Sequence, residues 1–366
     1  RLLHAAFVRS PFAHAVIGRV DLDGIHDLPG VAAAFDGRAI AAVCKPWTTR
    51  LATLPQHVSS PQPALAIDRA LWQGHPVAIV LAASRAEAED AAAAIQVDWT
   101  EQEPIVDAER ALAGAPFVHD ALGTNVAFDH RVAAGDATLF EAARLVRRRL
   151  RFTRHTGVPL ESRAIVADFD APTRRLTLHH SHQAPHQMRA IFAECLGLNE
   201  SDVRIVVPDV GGGYGIKLHA YDDEMAVAAA AVLIGRPVKF VADRMESFVS
   251  DIHARGHDVD ASIAIDAEGR IIGFRIDDIV EVGAYSVYPR TSILEGMQVL
   301  TQVGAPYVGR AHQARLRVVY QNKIGTSSYR GVGQPIGAAD VHGERLRRDA
   351  RKDVTRAPEQ FFRDSK

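Results

Sequence analysis

Apolar and polar residues alternate in short runs along the first part of the chain, a pattern typical of strands mixed with short helices. Apolar and β-branched runs predict strands over residues 3–8, 15–20 and 77–81. A capping box from Ser84 to Glu87 predicts a helix over residues 86–95, and a strand follows over residues 97–99. This β-α-β pattern predicts a first domain over residues 1–106.

A second unit is predicted after residues 107–125, which contain helix and strand breakers and which we interpret as a linker. It covers residues 126–339, with helices predicted over residues 187–196 and 222–234. Strands are predicted over residues 145–152, 165–169, 176–181, 203–207, 238–242, 262–265, 271–276 and 316–320. Because helices and strands do not alternate regularly, we expect an α+β fold with mixed sheets.

The pattern changes again in the last part of the chain. Residues 340–366 carry eight Lys or Arg against six Asp or Glu, with few apolar positions between them. Such a segment has no clear face to bury against a core. We therefore expect a divergent charged tail here.

Composition excludes several classes of protein. The 366 residues are 47% hydrophobic and carry a formal net charge of −2, so they offer material for large cores but no basic stripe for DNA or RNA. No apolar run is long enough to span a bilayer. No signal peptide is visible, so we expect a cytoplasmic protein, with a periplasmic location as the alternative.

The chain has two cysteines, Cys44 and Cys195. This number excludes a disulfide framework and also a cysteine-ligated iron–sulfur cluster, which needs four thiolates. If the protein takes part in electron transfer, the electrons must therefore leave through another chain.

The most informative segment is glycine-rich and covers residues 209–217, Asp-Val-Gly-Gly-Gly-Tyr-Gly-Ile-Lys. It lies between a predicted strand and a predicted helix, a layout in which backbone amides converge on an anionic or polar ligand. The spacing matches neither a P-loop nor a dinucleotide fingerprint. A glycine turn required only for close packing is the alternative.

Two further segments carry candidate ligand groups. Residues 181–189 place the amide of Gln183 at the carboxyl end of a predicted strand, where ligand groups are common. Residues 329–335 form a glycine-flanked turn in which Arg330 could donate hydrogen bonds to an oxyanion or phosphate. Taken singly, each segment is better explained as ordinary loop structure.

Together, however, these segments resemble a known family. The motifs S-x-Q-x-P-H, G-G-G-[FY]-G-x-K and Y-R-G-x-G-x-P, in this order, resemble the molybdenum-cofactor subunit of the xanthine dehydrogenase and aldehyde oxidase family. Residues 7–15 and 74–78 are similar to its a/b hammerhead domain, and residues 154–161 to the start of its first molybdopterin-binding domain. Over residues 1–339 the chain thus resembles the N-terminal portion of a molybdenum hydroxylase large subunit.

The resemblance implies a cofactor and roles for particular residues. The cofactor is a molybdopterin, in bacterial relatives usually its cytosine dinucleotide, and the pterin rather than the protein holds the molybdenum. Gln183 matches the catalytic glutamine that hydrogen-bonds an oxo ligand of the metal, and Arg330 matches the arginine of a second cofactor loop. The loop beneath the metal and pterin corresponds to Gly212, Gly213, Tyr214 and Gly215.

Departures from the family pattern narrow the range of expected substrates. Leu218 replaces a purine-binding glutamate, and Val332 replaces a phenylalanine that stacks on the substrate in the xanthine-oxidising enzymes. Gly331 replaces the copper-binding cysteine of carbon monoxide dehydrogenases. The resemblance therefore implies a hydroxylase of aldehydes or aromatic N-heterocycles that uses oxygen derived from water.

The family's catalytic base is a glutamate in a Gly-Glu-Gly segment of the second molybdopterin domain, and this chain ends before that segment. We therefore expect the chain alone to bind cofactor weakly and to be inactive. The implied partners are an iron–sulfur subunit, an FAD subunit, and a chain or segment carrying the second molybdopterin domain. The alternatives are a truncated, non-catalytic remnant and a binding module for another ligand.

Other polar clusters have simpler interpretations. The histidines near residue 180 could suggest a metal site, but no fourth ligand with suitable spacing is evident. The acidic residues 222–224 are predicted to complement the amino end of the following helix. Residues 243–246 are predicted to form a local ion-pair turn. The histidines concerned are His179, His180, His182 and His186.

Overall fold

Strands and short helices make up the first hundred residues, as the sequence pattern predicts. The structure, a computed structural model, describes residues 1–304, 307 and 309–342. Its first elements are β1 (Leu3–Arg9), β2 (Ala15–Asp21), β3 (Val31–Asp36), α1 (Gly37–Ala41), β4 (Arg69–Ala70), β5 (Pro76–Ala82), α2 (Arg85–Ala94) and β6 (Gln96–Glu101). The Ser84 side chain accepts a hydrogen bond from the Glu87 amide and so caps α2, as the capping box predicts.

The second part of the chain contains longer strands and helices. In order they are α3 (Ala108–Leu112), β7 (Val126–Gly135), α4 (Leu139–Ala142), β8 (Arg144–Phe152), β9 (Ala164–Asp170), β10 (Arg175–His180), α5 (Pro185–Leu196), β11 (Val203–Val206), α6 (Asp222–Ile234), β12 (Val238–Val241), α7 (Arg244–Ser250), β13 (His257–Ile265), β14 (Ile271–Gly283), α8 (Ser292–Gln302), β15 (Ala311–Tyr320) and α9 (Gln334–His342). The predicted tail lies outside the described residues from residue 343 onward. No helix in the described ranges is long and apolar enough to cross a membrane.

The strands of the described residues form three sheets. A seven-stranded sheet has the order β11-β10-β9-β12-β1-β5-β3, a five-stranded sheet the order β7-β15-β14-β13-β8, and a three-stranded sheet the order β4-β2-β6. The first two sheets combine parallel pairs, such as β1 with β12 and β14 with β15, with antiparallel pairs. The prediction of an α+β fold with mixed sheets is confirmed.

The seven-stranded sheet joins the two predicted domains. Strands β1, β5 and β3 come from the first hundred residues, and β1 pairs with β12 through Leu3 and Val238. One hydrophobic core includes residues of both units, with the small side chains of α6 packed over the sheet. The predicted boundaries at residues 106 and 125 therefore lie between units that share a sheet and a core.

The residues that we interpreted as a linker are packed against the second unit. Helix α3 is capped by the Asp107 side chain, and Ala111 and Val118 are buried in the core of the five-stranded sheet. Asn125 donates hydrogen bonds to the carbonyls of Gly114 and Pro116. This segment therefore helps to fix the second unit, whatever the domain boundaries are.

A buried ionic cluster connects α6 with the rest of the fold. The Arg163 guanidinium makes two hydrogen bonds to Asp223, of 2.7 and 2.9 Å, and further bonds to Glu224 and Asp251. Arg9, from β1, also donates to Asp223, at 2.9 Å. Burial alone would raise the pKa of Asp223, but the two arginines hold it below its ordinary value. The cluster thus contains charged groups that stabilise one another.

Two predictions about acidic residues are affected by this cluster. Residues 222–224 do lie in the first turn of α6, as predicted, but all three are buried and the last two pair with Arg163.

The predicted ion-pair turn at residues 243–246 is wrong. Asp243 caps α7 by accepting a hydrogen bond from the Glu246 amide, and Glu246 pairs with Arg9. Long-range pairing cannot be inferred from a local run of charges.

We expect Arg163→Met to lower the free energy of unfolding by about 3–5 kcal/mol, because it leaves buried carboxylates without their counter-charge. Urea denaturation at neutral pH measures the change. The control is Arg315→Met, which removes a partly exposed pair with Asp129 and should cost less than about 1 kcal/mol. Equal losses in the two variants would contradict this account of the cluster.

Candidate functional site

The glycine loop, residues 211–215, follows β11 and has little room for side chains. Gly212 and Gly215 have φ angles of 98° and 102°, a region that glycine adopts without strain. A Cβ on Gly213 would overlap Oε1 of Gln183, and a Cβ on Gly215 would lie 2.5 Å from the Ser328 carbonyl oxygen. Close neighbours, rather than flexibility, therefore require glycine here.

The loop does not lead directly into a helix, in contrast to the predicted strand-turn-helix layout. A short 3-10 turn, Ile216–Leu218, follows it, and α6 begins only at Asp222. The amino terminus of α6 is buried with its own acidic residues. The ligand-binding capacity of the loop must therefore come from its own amides and from neighbouring side chains.

Gln183 lies three residues beyond the end of β10 and contacts this loop directly. Its backbone amide donates to the Lys217 carbonyl at 2.6 Å, and its Oε1 accepts a hydrogen bond from the Gly215 amide at 3.1 Å. Because Oε1 is the acceptor in this pair, Nε2 keeps both of its hydrogens for another partner. The side chain is exposed, so Gln183 presents a free amide donor beside the loop.

An ionic contact between buried Lys217 and half-buried Glu161 fixes both ends of the glycine loop. Nζ of Lys217 lies 2.6 Å from Oε2 of Glu161 and 2.9 Å from the Ser181 hydroxyl. The same carboxylate oxygen accepts hydrogen bonds from Ser181, at 2.8 Å, and from the Gly211 amide, at 2.7 Å. Burial would raise the pKa of Glu161, but these hydrogen bonds lower it below its ordinary value. Glu161 is therefore an ionised anchor for the loop.

The arginine loop, residues 329–335, lies against the glycine loop. The Arg330 amide donates to the Tyr214 carbonyl at 2.9 Å, and the Arg330 guanidinium carbon lies 5.1 Å from the centre of the Tyr214 ring. Gly331 and Val332 have φ angles of 88° and 48°, which bend the chain at this point. The two loops thus form one continuous surface.

The structure brings together all the residues that the sequence singled out. Gln183 contacts Gly213 and Gly215, while Tyr214 contacts Arg330. Their roles in binding a cofactor remain predictions. Sequence reasoning missed the anchor formed by Glu161 and Lys217, although both residues belong to segments that carry the family resemblance. Their shared role becomes apparent only once the fold brings the segments together.

The surface formed by the two loops is rich in hydrogen-bond donors. Among the described residues, the amides of Gly213 and Tyr214 have no hydrogen-bond partner. The Gln183 amide and the exposed Arg330 guanidinium add further donors. Neighbouring donors without partners suit an anionic or oxygen-rich ligand, such as a molybdopterin with its phosphate and pterin oxygens. The donor set therefore fits the cofactor implied by the sequence.

Two acceptors close to the glycine loop already have hydrogen-bond partners. The carboxylate that contacts the loop, Glu161, already accepts three hydrogen bonds. His182 accepts a hydrogen bond from the Ala184 amide through Nδ1, and burial lowers its pKa to about 4. The loops can therefore bind and orient a polar ligand, while neither Glu161 nor His182 is free to act as a general base.

Two of the four histidines that the sequence singled out, His180 and His182, are buried and make contacts within the protein. Nε2 of His180 lies 2.8 Å from Oε2 of Glu224, and Nε2 of His182 lies 3.1 Å from the His219 carbonyl. No cluster of three or more His, Cys, Asp or Glu residues able to hold a metal ion occurs within residues 1–304, 307 and 309–342. The contacts of His180 and His182 give these two histidines a structural role.

Comparison with known proteins finds relatives of both units. Residues 1–103 match the a/b hammerhead domain of aldehyde oxidase and xanthine dehydrogenase, and residues 118–341 match the molybdopterin cofactor-binding domain. The chain is 32% identical over 339 residues to the nicotine 6-hydroxylase large subunit of Paenarthrobacter nicotinovorans, a match covering 92% of this chain and 41% of that subunit. It is 31% identical over 346 residues to the carbon monoxide dehydrogenase large chain of Hydrogenophaga pseudoflava, with 90% and 42% covered.

A solved structure has a closely similar fold. Quinoline 2-oxidoreductase from Pseudomonas putida 86 superposes with a TM-score of 0.90 at 32% sequence identity. The match covers 96% of this chain and 45% of that chain. The chain spans about two fifths of the length of the two curated relatives described above.

We expect Glu161→Gln to lower stability most at neutral pH. The pKa of Glu161 is lowered in the folded state, so its stabilising contribution is present above its ordinary value of 4.5 and is lost as pH falls through the lowered value. Urea denaturation at several pH values should show a difference in the free energy of unfolding between wild type and variant, and this difference should become smaller below pH 4.5.

Glu268→Gln is the control for this variant, since Glu268 is exposed and pairs only with Arg270. Its free energy of unfolding should differ little from that of wild type at every pH. If the difference between wild type and Glu161→Gln is independent of pH, the ionised carboxylate does not anchor the loop.

Proposed function

The chain belongs to the aldehyde oxidase and xanthine dehydrogenase family and is the molybdopterin-binding portion of a molybdenum hydroxylase large subunit, and from this premise we propose that it helps to hydroxylate aromatic N-heterocycles or aldehydes with oxygen derived from water. The observation that carries the proposal is the meeting of Gln183, the glycine loop and Arg330 on one donor-rich surface. Each comes from a different segment of the chain.

In this proposal the two loops hold a molybdopterin, in its cytosine dinucleotide form. The amides of Gly213 and Tyr214 and the Nε2 hydrogens of Gln183 would donate to cofactor oxygens, and Arg330 would neutralise negative charge. When bound, the cofactor supplies a metal that accepts two electrons from the substrate. This chain contributes binding and orientation, and Gln183 is its candidate catalytic residue.

The residues beside the loops argue against purine and carbon monoxide as substrates. The half-buried, apolar Leu218 stands where the purine-oxidising relatives carry a glutamate, and Gly331 cannot hold copper. Two of the relatives described above are named for nicotine and quinoline, which are aromatic N-heterocycles. This supports an aromatic N-heterocycle, with an aldehyde as the second candidate.

An exposed apolar patch beside the glycine loop suggests that another segment covers it. Helix α7 buries Ser247 and Ser250 but exposes Met245 and Phe248, the reverse of the usual arrangement. Leu160 is 95% exposed nearby, where the Arg244 guanidinium donates to its carbonyl at 3.0 Å. A patch of this kind marks an interaction site.

We infer that this patch and the loops are covered by the second molybdopterin domain, carried by a further segment or a separate chain. That domain would supply the general base, since Glu161 is already engaged. Iron–sulfur and FAD subunits would carry the electrons away, because the two cysteines cannot ligate a cluster. Without these partners, the chain alone would be inactive. We propose a cytoplasmic location, with the periplasm as the alternative.

Co-expression with a second molybdopterin domain and the partner subunits tests the function. We expect nearly one molybdenum per chain by elemental analysis, together with release of a cytidine nucleotide on acid treatment. Arg330→Met should reduce the molybdenum content severalfold, because it removes the charged donor of the site. Arg310→Met, an exposed arginine before β15, is the control and should leave the content unchanged.

Background molybdenum in the wild-type assembly would contradict the proposal and favour the non-catalytic remnant. Stoichiometric molybdenum followed by turnover of quinoline-like substrates would support it. Equal molybdenum in wild type and Arg330→Met would show that the arginine loop is not part of the cofactor site.

A further inference from the structure

Arg255 is buried behind the arginine loop and holds two of its carbonyl groups. Its Nη1 donates to the Val332 carbonyl at 2.5 Å, and its Nη2 donates to the Arg330 carbonyl at 3.1 Å. Arg255 is only 6% exposed and has a φ of 64°, in the left-handed region where a non-glycine residue is strained. A strained, buried arginine aimed at a ligand-binding loop requires an explanation.

A chain of buried charges balances this arginine. Nη1 of Arg255 pairs with Oε1 of Glu295, which is fully buried on α8. The other Glu295 oxygen lies 3.7 Å from Nε2 of His257, whose Nδ1 lies 2.8 Å from Asp278. Burial opposes a charge on His257, but the two carboxylates raise its pKa to about 10. The four side chains therefore bring two basic and two acidic groups together in the core.

Helix α8 supports the same loop from another direction. The Gly333 amide donates to Oε1 of Gln298 at 2.8 Å, and a Cβ on Gly333 would lie 2.6 Å from the Glu295 carbonyl oxygen. On its other side, the loop contacts the glycine loop through the Arg330 amide and the Tyr214 carbonyl. The loop is thus held between α8, Arg255 and the glycine loop.

We propose that Arg255 is a positioning residue that fixes the arginine loop, and through it the Arg330 guanidinium, in the conformation that receives the cofactor. The inference rests on the proposed function for the identity of the ligand. In this proposal Arg255 acts through the loop rather than by direct contact with the cofactor. It acts by holding the carbonyls on both sides of Gly331, which removes the freedom that a glycine at this position would otherwise allow.

The test compares hydrogen exchange and cofactor content in matched variants of the assembled protein. Arg255→Met alone would remove the cation that pairs with Oε1 of Glu295, so the main variant is the double substitution Arg255→Met with Glu295→Gln. This variant removes one positive and one negative charge and keeps the pair formed by His257 and Asp278. The matched control is Arg315→Met with Asp129→Asn, which removes a partly exposed pair between β15 and β7.

We expect the amides of Val332 and Gln334, which bond within the arginine loop, to exchange about ten- to thirtyfold faster in the Arg255 double variant. Buried strand amides in β1 should exchange at unchanged rates. The molybdenum content should fall severalfold, whereas the Arg315 control should match wild type in both readouts. Arg255→Lys keeps the positive charge but lacks the planar guanidinium that donates to both carbonyls, so it should give intermediate exchange rates. If the double variant fails to fold, the exchange rates of Arg255→Lys test the inference instead.

Unchanged loop exchange would overturn the inference. Faster exchange with unchanged molybdenum would also overturn it, since the loop would then be held without positioning the cofactor. If the wild-type assembly contains no molybdenum, the proposed function is contradicted. The hydrogen-exchange measurement still shows in that case whether Arg255 fixes the loop.

Discussion

The candidate site depends on a steric constraint: a side chain at Gly213 would displace Gln183, and one at Gly215 would meet backbone. Gln183 fills the space above the first glycine, and the backbone at Ser328 fills the space above the second. Because the loop has no side chains at these positions, its amides remain accessible to a ligand. The same close packing brings the glycine loop against the segment that leads into the arginine loop. A change at either glycine would therefore disturb both halves of the surface.

Buried cations connect this surface to the rest of the fold. Lys217 ties the glycine loop to Glu161, and Arg255 ties the arginine loop to Glu295 on α8. Arg163 joins α6 to the residues next to β9 and α7. In each case a low-exposure charge is matched by carboxylates and hydrogen bonds, as a buried ion requires. The loops can therefore keep their shape in the absence of a ligand.

Much of the fold could be predicted from sequence, because local signals were strong. The helix predicted over residues 222–234 is found as α6, since its Ala-rich run ends at Gly235. Strands β13 and β14 are longer than predicted, because polar positions that alternate along them hid the pattern. Within the site, the motifs correctly suggested that their loops would meet. The partners of Lys217 and Arg255 lie far away in sequence, and no local pattern indicates such pairs.

An experimental structure of the cofactor-loaded assembly would show whether the two loops hold the cofactor. We predict that cofactor oxygens lie within hydrogen-bond distance, about 2.7–3.2 Å, of the Gly213 and Tyr214 amides and of Nε2 of Gln183. Oε1 of Gln183 should still accept a hydrogen bond from the Gly215 amide in that structure. A cofactor bound elsewhere, or a glycine loop whose amides face away from it, would contradict the account.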